Sequence, residues 1–399
     1  MKRTGSCVVA FLSLLCTTVY LQPAQGGYKP HPRDIYHKAW ELVRDTYYDS
    51  SFNGQNWASW EHKYDNDIKT VADAHKDIKV MLESLRDPYT RFLDPQSFKD
   101  ESDAINAKIV GIGINLVQKD GRLVVTKTID NSPAQNAGMH PKDEIVSIDG
   151  HNSVGYTPEQ AAERIRGRAG TAVQIAVKRG DSEQKFDITR AEITIHAVSY
   201  HLDKNAPNIG VIQLSTFISN DAAREFKVAL EKLSRTDGLV IDLRDNPGGL
   251  LSNSLEIADM LLDGGVIVST AGRAGRSVDT ASGNPVTHQP IAVLVDDESA
   301  SASEILAGAL KDNHRATIIG THTYGKGLVQ EINHLPGGAA VHITVSKYLT
   351  PSGADINKVG VQPDIQVSDH EQQDNVAMTF LKEKIATLKA QNQISLSHN

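Results

Sequence analysis

The chain has 399 residues, 40% of them hydrophobic, enough to bury a core spread over two or three domains. Its formal net charge is −8 and Lys and Arg are not clustered, which excludes nucleic acid as a partner because phosphate binding needs concentrated positive charge. The only cysteines are Cys7 and Cys16, so beyond residue 16 there is no disulfide framework, thiolate metal site or cysteine nucleophile.

The first 26 residues read as an export signal. Lys2 and Arg3 precede an apolar run from Val8 to about Tyr20, and the small residues Ala24 and Gly26 fit cleavage after Gly26. The run falls short of the ~20 residues that span a bilayer, so removal is expected rather than anchorage. Leu14-Leu15 before Cys16 are too bulky for a lipoprotein signal. An exported protein is expected, periplasmic, membrane-associated or secreted.

Over 27–96, Trp40, Leu42, Val43, Tyr47, Ile68, Val71, Val80, Met81 and Leu85 recur at spacings near three and four, which predicts a small subdomain of amphipathic helices. Residues 97–190 change character. Runs at Ile109 to Leu116, Leu123 to Ile129, Ala172 to Val177 and Lys185 to Ile188 alternate with turn residues such as Asp120-Gly121 and Arg179-Gly180-Asp181, predicting a compact, mostly β module. Helical stretches are expected at Pro133 to Ala137 and Pro158 to Arg166.

Residues 191–369 alternate strand and helix: strands at Gly210 to Leu214, Gly238 to Leu243, Ile291 to Val295 and Ala316 to Gly320, and helices at Asp221 to Leu233, Ser252 to Leu262 and Ser301 to Leu310. Repeated units of this kind imply a layered α/β core. Residues 370–399 form a helical tail, periodic from about Gln373 to Lys389.

Three segments carry chemistry. In Ser299-Ala300-Ser301-Ala302-Ser303-Glu304-Ile305, the stripe Ala302, Ile305, Leu306 and Ala309 starts a helix at about Ser301, where backbone N–H groups and the helix dipole stabilise developing negative charge. A serine there is most often only an N-cap. Three alternating serines among small alanines exceed what a cap needs. In Tyr324-Gly325-Lys326-Gly327, a lysine between glycines after a buried strand can lose hydration, and only the resulting neutral amine can take a proton from a serine hydroxyl. The plain alternative is an exposed turn. The phosphate-loop pattern is incomplete, lacking its upstream glycine and the hydroxyl residue after the lysine. The turn Asn246-Pro247-Gly248-Gly249 exposes main-chain N–H groups at the carboxyl end of a strand, where ligands bind in α/β sheets, although it equally suits a tight turn.

These segments, with Asp242 to Gly249, Tyr324 to Gln330, Thr350-Pro351-Ser352-Gly353 and Asp87-Pro88-Tyr89-Thr90, resemble the carboxy-terminal processing peptidases, or tail-specific proteases, over nearly the whole chain past residue 26. The resemblance implies a layered crotonase/ClpP-like protease core with an inserted PDZ domain at 97–190 and an N-terminal helical subdomain. It implies Ser301 as nucleophile, Lys326 as general base and Gln330 as the residue that orients the lysine. Ala302 and either Gly248 or Gly249 would form the oxyanion hole, and Gly111, Ile112, Gly113 and Ile114 the loop that captures a terminal carboxylate. Protein substrates with accessible C-terminal tails follow, and no cofactor or metal is expected. Lipoprotein adaptors serve some members, and the tail helix with Phe380 and Leu381 suits either a second subunit or the chain itself.

The sequence departs from the family at Asp296 and Glu298, where Asn and Gly are usual, and at Ala354-Asp355, where Arg is usual. Carboxylates near the nucleophile would raise the pKa of Lys326 if they came close. Other chemistries are poorly supported. Ser182-Glu183-Gln184-Lys185 has the spacing of a penicillin-binding motif without its helix, His370-Glu371 lacks the second histidine of a zinc protease, and no Gly-x-Ser-x-Gly elbow is present. The expected activity is endopeptidase cleavage near protein C-termini through an acyl-enzyme. The alternative, of another class, is a catalytically silent PDZ adaptor that holds the tails of exported proteins.

Overall fold

A computed structural model describes residues 30–397 except Ala107, Asp120, Asp130 and Ile195. The export signal read at residues 1–26 lies outside them. Among the described residues no helix is long and apolar enough to cross a membrane.

The N-terminal subdomain consists of helices Pro32–Thr46 and Val71–Glu83 with a short 3-10 turn, Trp57–Trp60, between them. Pro32 at the start of the first helix and a Thr70/Asp73 capping box on the second fix where they begin. Their apolar faces, with Ile35, Tyr36, Trp40, Val43, Ile78 and Met81 fully or almost fully buried, pack on Val341 and Ile343 of strand Ala340–Leu349. Val71 and Val80 of the predicted stripe remain at the surface.

The central sheet has six strands in the order Val198–Leu202, Ile209–Leu214, Gly238–Asp242, Ile291–Val295, Ala316–Gly320 and Ile365–Gln366. All neighbours are parallel except the first pair. Gly238–Asp242 and Ile291–Val295 are buried along their full length, as expected of strands covered on both faces. Helices Ala222–Lys232, Leu251–Asp259 and Ala302–Asp312 contribute to one core, built around Phe226, Ile241, Ile257, Val293 and Leu306. The tail helix, His370–Ser397, runs past the periodic stretch at both ends and packs Ala377, Leu381 and Ile385 on Val240, Ala292, Leu294 and Ile319. Of the two residues for which a second subunit and the chain itself were both open, Leu381 is therefore fully buried against the chain itself, and Phe380 packs there in part.

A second sheet joins Arg91–Leu93, Ala340–Leu349, Val266–Gly272 and Gly275–Thr280, with Leu328–His334 also paired to Ala340–Leu349. The β module has its own sheet of Ile114–Lys119, Arg122–Thr128, Glu144–Ile148, Ala172–Arg179 and Ser182–Thr189 around a separate core of Ile112, Leu123, Val125, Ile145 and Val177. The strand expected over Ile109 to Leu116 is broken in two because Gly113 has φ +81° and turns the chain. Helix Pro95–Ile105 lies between module and core: its Asp100 pairs with Arg166 of the module at 2.9 Å, and the Ile105 carbonyl accepts the N–H of Asn220 at 2.8 Å.

Candidate active site

The three chemistry-bearing segments leave the carboxyl ends of three adjacent parallel strands. Gly238–Asp242 leads into the Pro247-Gly248-Gly249 turn, Ile291–Val295 into Ser301, and Ala316–Gly320 into Lys326. Sequence segments about 50 and 25 residues apart are thus brought together by the β-α-β repeat itself.

Ser301 sits at the N-terminus of helix Ala302–Asp312 with φ 54° and ψ −111°. Positive φ in a residue with a side chain costs on the order of 1–3 kcal/mol and persists only where surrounding contacts hold it. Those contacts are explicit. The Ser301 N–H donates to Glu304 Oε2 at 2.8 Å, and the Ser301 carbonyl accepts from the Tyr348 hydroxyl at 3.1 Å. Ala300 N–H and Ser303 Oγ donate to the Asn246 carbonyl at 3.0 and 2.9 Å, pinning the helix start to the glycine turn.

Glu304 is fully buried. Its Oε1 accepts Thr323 Oγ1 at 2.5 Å and the Gly325 N–H at 2.7 Å, and its Oε2 accepts the Lys326 N–H at 2.9 Å in addition to that of Ser301. One carboxylate therefore ties the serine turn to the lysine loop. Tyr348, also buried, bonds the Lys326 carbonyl as well as that of Ser301. Burial, then Glu304, pushes its hydroxyl far above the ordinary tyrosine range, so it stays a donor.

The Gly-Lys-Gly loop is not an exposed turn. A Cβ on Gly325 would meet Val359 N at 2.9 Å and one on Gly327 would meet Asn357 N at 2.8 Å, so both glycines let the loop lie flat under segment 356–360. Lys326 is half-buried, with its Nζ 4.8 Å from the centre of the Tyr89 ring. Its pKa is lowered from the ordinary lysine value chiefly by burial and next by the Arg91 guanidinium, against opposition from Asp87, Glu304 and Glu101. The carboxylates that act most on the amine are these three. Asp296 instead accepts the N–H groups of Asp245, Glu298 and Ser299 at 3.1, 3.1 and 3.0 Å, closing its own loop.

Gly248 lies directly against the serine. A Cβ there would stand 2.9 Å from Ser301 Cβ, 2.9 Å from Ala302 N and 2.5 Å from the Ala300 carbonyl. Its own N–H donates to Asn246 Oδ1 at 2.9 Å. Gly249 faces the other way, toward the backbone of Phe217 and Ile218.

Gln330 lies on strand Leu328–His334, where its amide donates to Thr344 Oγ1 at 3.5 Å. Thr344 Oγ1 and Thr90 Oγ1 each donate to Asp87 Oδ2 at 2.7 Å. His342, Thr344 and Tyr348 alternate along Ala340–Leu349 and share one face. That face serves the site: His342 Nε2 lies 3.0 Å from Glu101, Thr344 holds Gln330, and Tyr348 spans the serine and lysine carbonyls. The opposite face, Val341, Ile343 and Val345, packs on the N-terminal helices. None of these three polar residues was singled out from the sequence. Apolar and polar residues alternating from Val341 to Ser346 were the available signal.

In the β module, Gly111 ends strand Lys108–Gly111, Ile112 is buried in the module core, and Ile114 begins strand Ile114–Lys119. The Ile112 carbonyl accepts from Ala134 N–H at 2.8 Å and the Gly113 carbonyl from Ile129 N–H at 2.9 Å. Ile114–Lys119 is the terminal strand of its sheet, with helix Pro158–Ile165 packed beside it.

Comparison with known proteins agrees with this architecture. Residues 208–367 match the model of peptidase family S41, residues 110–189 that of a PDZ domain, and residues 28–94 the tricorn protease C1 domain. The carboxyl-terminal-processing protease of Picosynechococcus sp. is 40% identical over 83% of this chain and 82% of its own length. That of Synechocystis sp. is 39% identical over 91% of this chain and 88% of its own length. The solved photosystem II D1 C-terminal processing protease superposes with a TM-score of 0.59 and 33% identity, covering 84% of this chain and 93% of its own. The chain therefore belongs to peptidase family S41, as a carboxyl-terminal-processing serine protease that carries a PDZ domain.

Proposed function

We propose that this protein is an exported endopeptidase that cuts its protein substrates near their C-termini with Ser301 as nucleophile and Lys326 as general base. The observation that carries this reading is the buried Glu304 carboxylate, which holds the N–H groups of both residues at 2.8 and 2.9 Å and fixes one loop against the other. The lowered Lys326 pKa supports it, since the neutral amine is the form that can accept a proton.

In the first half-reaction the Lys326 amine takes the proton from Ser301 Oγ as that oxygen attacks the scissile carbonyl carbon. The oxygen that gains negative charge would be met by the Ala302 N–H and by a glycine N–H of the Pro247-Gly248-Gly249 turn, in which the Gly248 N–H is held by Asn246 Oδ1 and only a residue without a Cβ fits beside Ser301. Collapse breaks the C–N bond, and the Lys326 ammonium returns its proton to the departing amine. In the second half-reaction Lys326 deprotonates water, which attacks the acyl ester, and the proton goes back to Ser301 Oγ. Gln330 is assigned the orientation of Lys326, through a strand pair it shares with Thr344.

The PDZ domain is assigned the substrate tail. The outer edge of Ile114–Lys119 can accept a peptide as an added strand, with the Gly111 to Ile114 loop at the terminal carboxylate. Export rests on Lys2, Arg3, the apolar run and the small residues before the proposed cut at Gly26. The test is hydrolysis of a peptide with a free apolar C-terminus by wild type, Ser301→Ala and Lys326→Ala. Both variants should lose turnover and still bind the tail; full turnover by either one overturns the assignment.

A further inference from the structure

Away from the peptidase assembly, the N-terminal subdomain brings together two imidazoles and a carboxylate from separate segments. His37 lies on helix Pro32–Thr46, and His62 and Asp65 lie in the turn after Trp57–Trp60. One ligand atom from each lies within 4.8 Å of the others. Asp65 stands 3.0 Å from His62 Nδ1 and 3.5 Å from His37 Nε2, and the two rings are 5.4 Å apart.

The scaffold beneath them is set by other contacts. The Tyr36 hydroxyl donates to the Trp60 carbonyl at 2.6 Å and its ring meets Tyr64 edge-on at 5.8 Å, so the helix and the turn are locked together beside the cluster. The nearby cations are engaged elsewhere: Lys63 lies on the Trp60 ring at 3.6 Å and Lys38 pairs with Glu41 at 3.6 Å. Glu61 Oε1 lies 3.9 Å from His62 Nε2, outside hydrogen-bond distance but within reach of a small rotation of the exposed ring. A carboxylate behind the second nitrogen is what fixes the tautomer and orientation of a metal-bound histidine.

We propose that His37, His62 and Asp65 form a zinc-type divalent-cation site that clips helix Pro32–Thr46 to the 61–65 turn, with Glu61 orienting His62. Two imidazoles and one carboxylate suit zinc, which takes N and O ligands at about 2.0–2.2 Å in a tetrahedron whose fourth position can hold water. That geometry needs ligand atoms about 3.3–3.5 Å apart, so small side-chain rotations close the present spacing around the ion. The His62 side chain is 68% exposed and free to make that adjustment.

The experiment is calorimetric titration of zinc chloride into the untagged, metal-depleted chain, with thermal melting in zinc and in chelator. Wild type should take up one zinc per chain and melt at a higher temperature in zinc. His37→Ala and His62→Ala should each abolish that uptake, and Glu61→Gln should weaken it roughly tenfold. Because His62 is largely exposed, His62→Ala should melt like wild type in chelator, which separates loss of a ligand from loss of fold. His288→Ala, which removes an exposed histidine next to Asp263, should bind as wild type does. Absence of uptake by wild type, or equal uptake by the His37→Ala/His62→Ala double variant, overturns the proposal.

Discussion

Glu304 Oε2 accepts the backbone N–H of Lys326 at 2.9 Å, from inside a fully buried pocket. The same oxygen holds the Ser301 N–H, and the partner oxygen holds Gly325 and Thr323, so the carboxylate fills its acceptor sites with donors from two loops. A carboxylate in this position is a structural bolt between the proposed nucleophile and the proposed base, and it acts through both without needing to touch substrate.

Removing the bolt should cost activity and stability together. Glu304→Ala would leave several buried donors unpaired at about 1–3 kcal/mol each, partly relieved by water, so a net loss of about 2–4 kcal/mol in urea unfolding is expected. Activity should fall by at least ~100-fold, because a displaced loop of about 1 Å is enough for that. Glu304→Gln replaces one acceptor by a donor facing N–H groups and should not rescue. Wild-type kcat/KM in either variant would show that the two loops hold their places without Glu304.

The pH profile tests the electrostatics of Lys326. Its pKa is lowered first by burial and then by Arg91, and raised by Asp87, Glu304 and Glu101, so activity should rise as pH passes upward through the depressed value. Arg91→Gln removes a positive neighbour and should move this acidic limb to higher pH. Glu101→Gln removes a negative one and should move it to lower pH. Arg91 and Glu101 are themselves paired at 3.3 Å, so the double variant should fall between the two. Limbs that moved in the same direction would contradict this arrangement.

The same shift has a consequence for stability. A lysine whose folded pKa lies below its unfolded value makes the unfolded chain bind more protons between the two values, so stability rises with pH across that window and carries a fixed penalty below it. Lys326→Met removes the penalty with little change of volume. It should raise Tm at neutral pH while abolishing turnover, measured by scanning calorimetry beside the peptide assay.

The sequence made the ends of this assembly legible and hid its middle. Ser301 and Lys326 stand out because a helical stripe and a pair of glycines frame them, and both framings correspond to real backbone features. Glu304 does not stand out, because an acid in the first turn of a helix is ordinarily solvated and favoured there by the dipole. Its burial arises only when the 321–327 loop folds over it. Likewise the strand Ala340–Leu349 is marked by no motif in the sequence, and nothing local says that its polar face, His342, Thr344 and Tyr348, meets residues from Asp87 to Lys326. Those are contacts between segments more than 250 residues apart in one case, and they depend on the second sheet, which the β-α reading of the core did not include. Asp296 shows the converse: its position invited an electrostatic role, and its side chain is used to close a turn.

Gly248 provides a steric test of the serine pocket. Its φ is +93° and a Cβ would stand 2.5 Å from the Ala300 carbonyl, a backbone atom that cannot swing aside. Gly248→Ala should therefore push the turn away from Ser301 and reduce kcat by at least about 100-fold, the scale of a lost oxyanion donor. The PDZ domain, with its separate core, should still bind tail peptides. Gly121→Ala, where φ is +73° but no atom lies within 4 Å, supplies the control for positive φ alone and should leave kcat unchanged.

Gly113 tests whether the PDZ loop governs substrate capture. Its φ is +81° and a Cβ would stand 2.3 Å from Ser132 Cβ and 3.1 Å from Ile193 Cδ1, so Gly113→Ala must displace the loop between Gly111 and Ile114. The loop carbonyls of Ile112 and Gly113 are bonded to Ala134 and Ile129, which ties any displacement to the module's own core. If the loop holds the terminal carboxylate, the variant should bind tail peptides at least about tenfold more weakly, the loss of one charge-assisted contact of roughly 1.5–3 kcal/mol. The effect should appear in KM for substrates with a free C-terminus and be small for the same peptide carrying a C-terminal amide. Equal loss for both peptides would mean that the module reads the substrate by its extended backbone, along Ile114–Lys119, and not by its carboxylate.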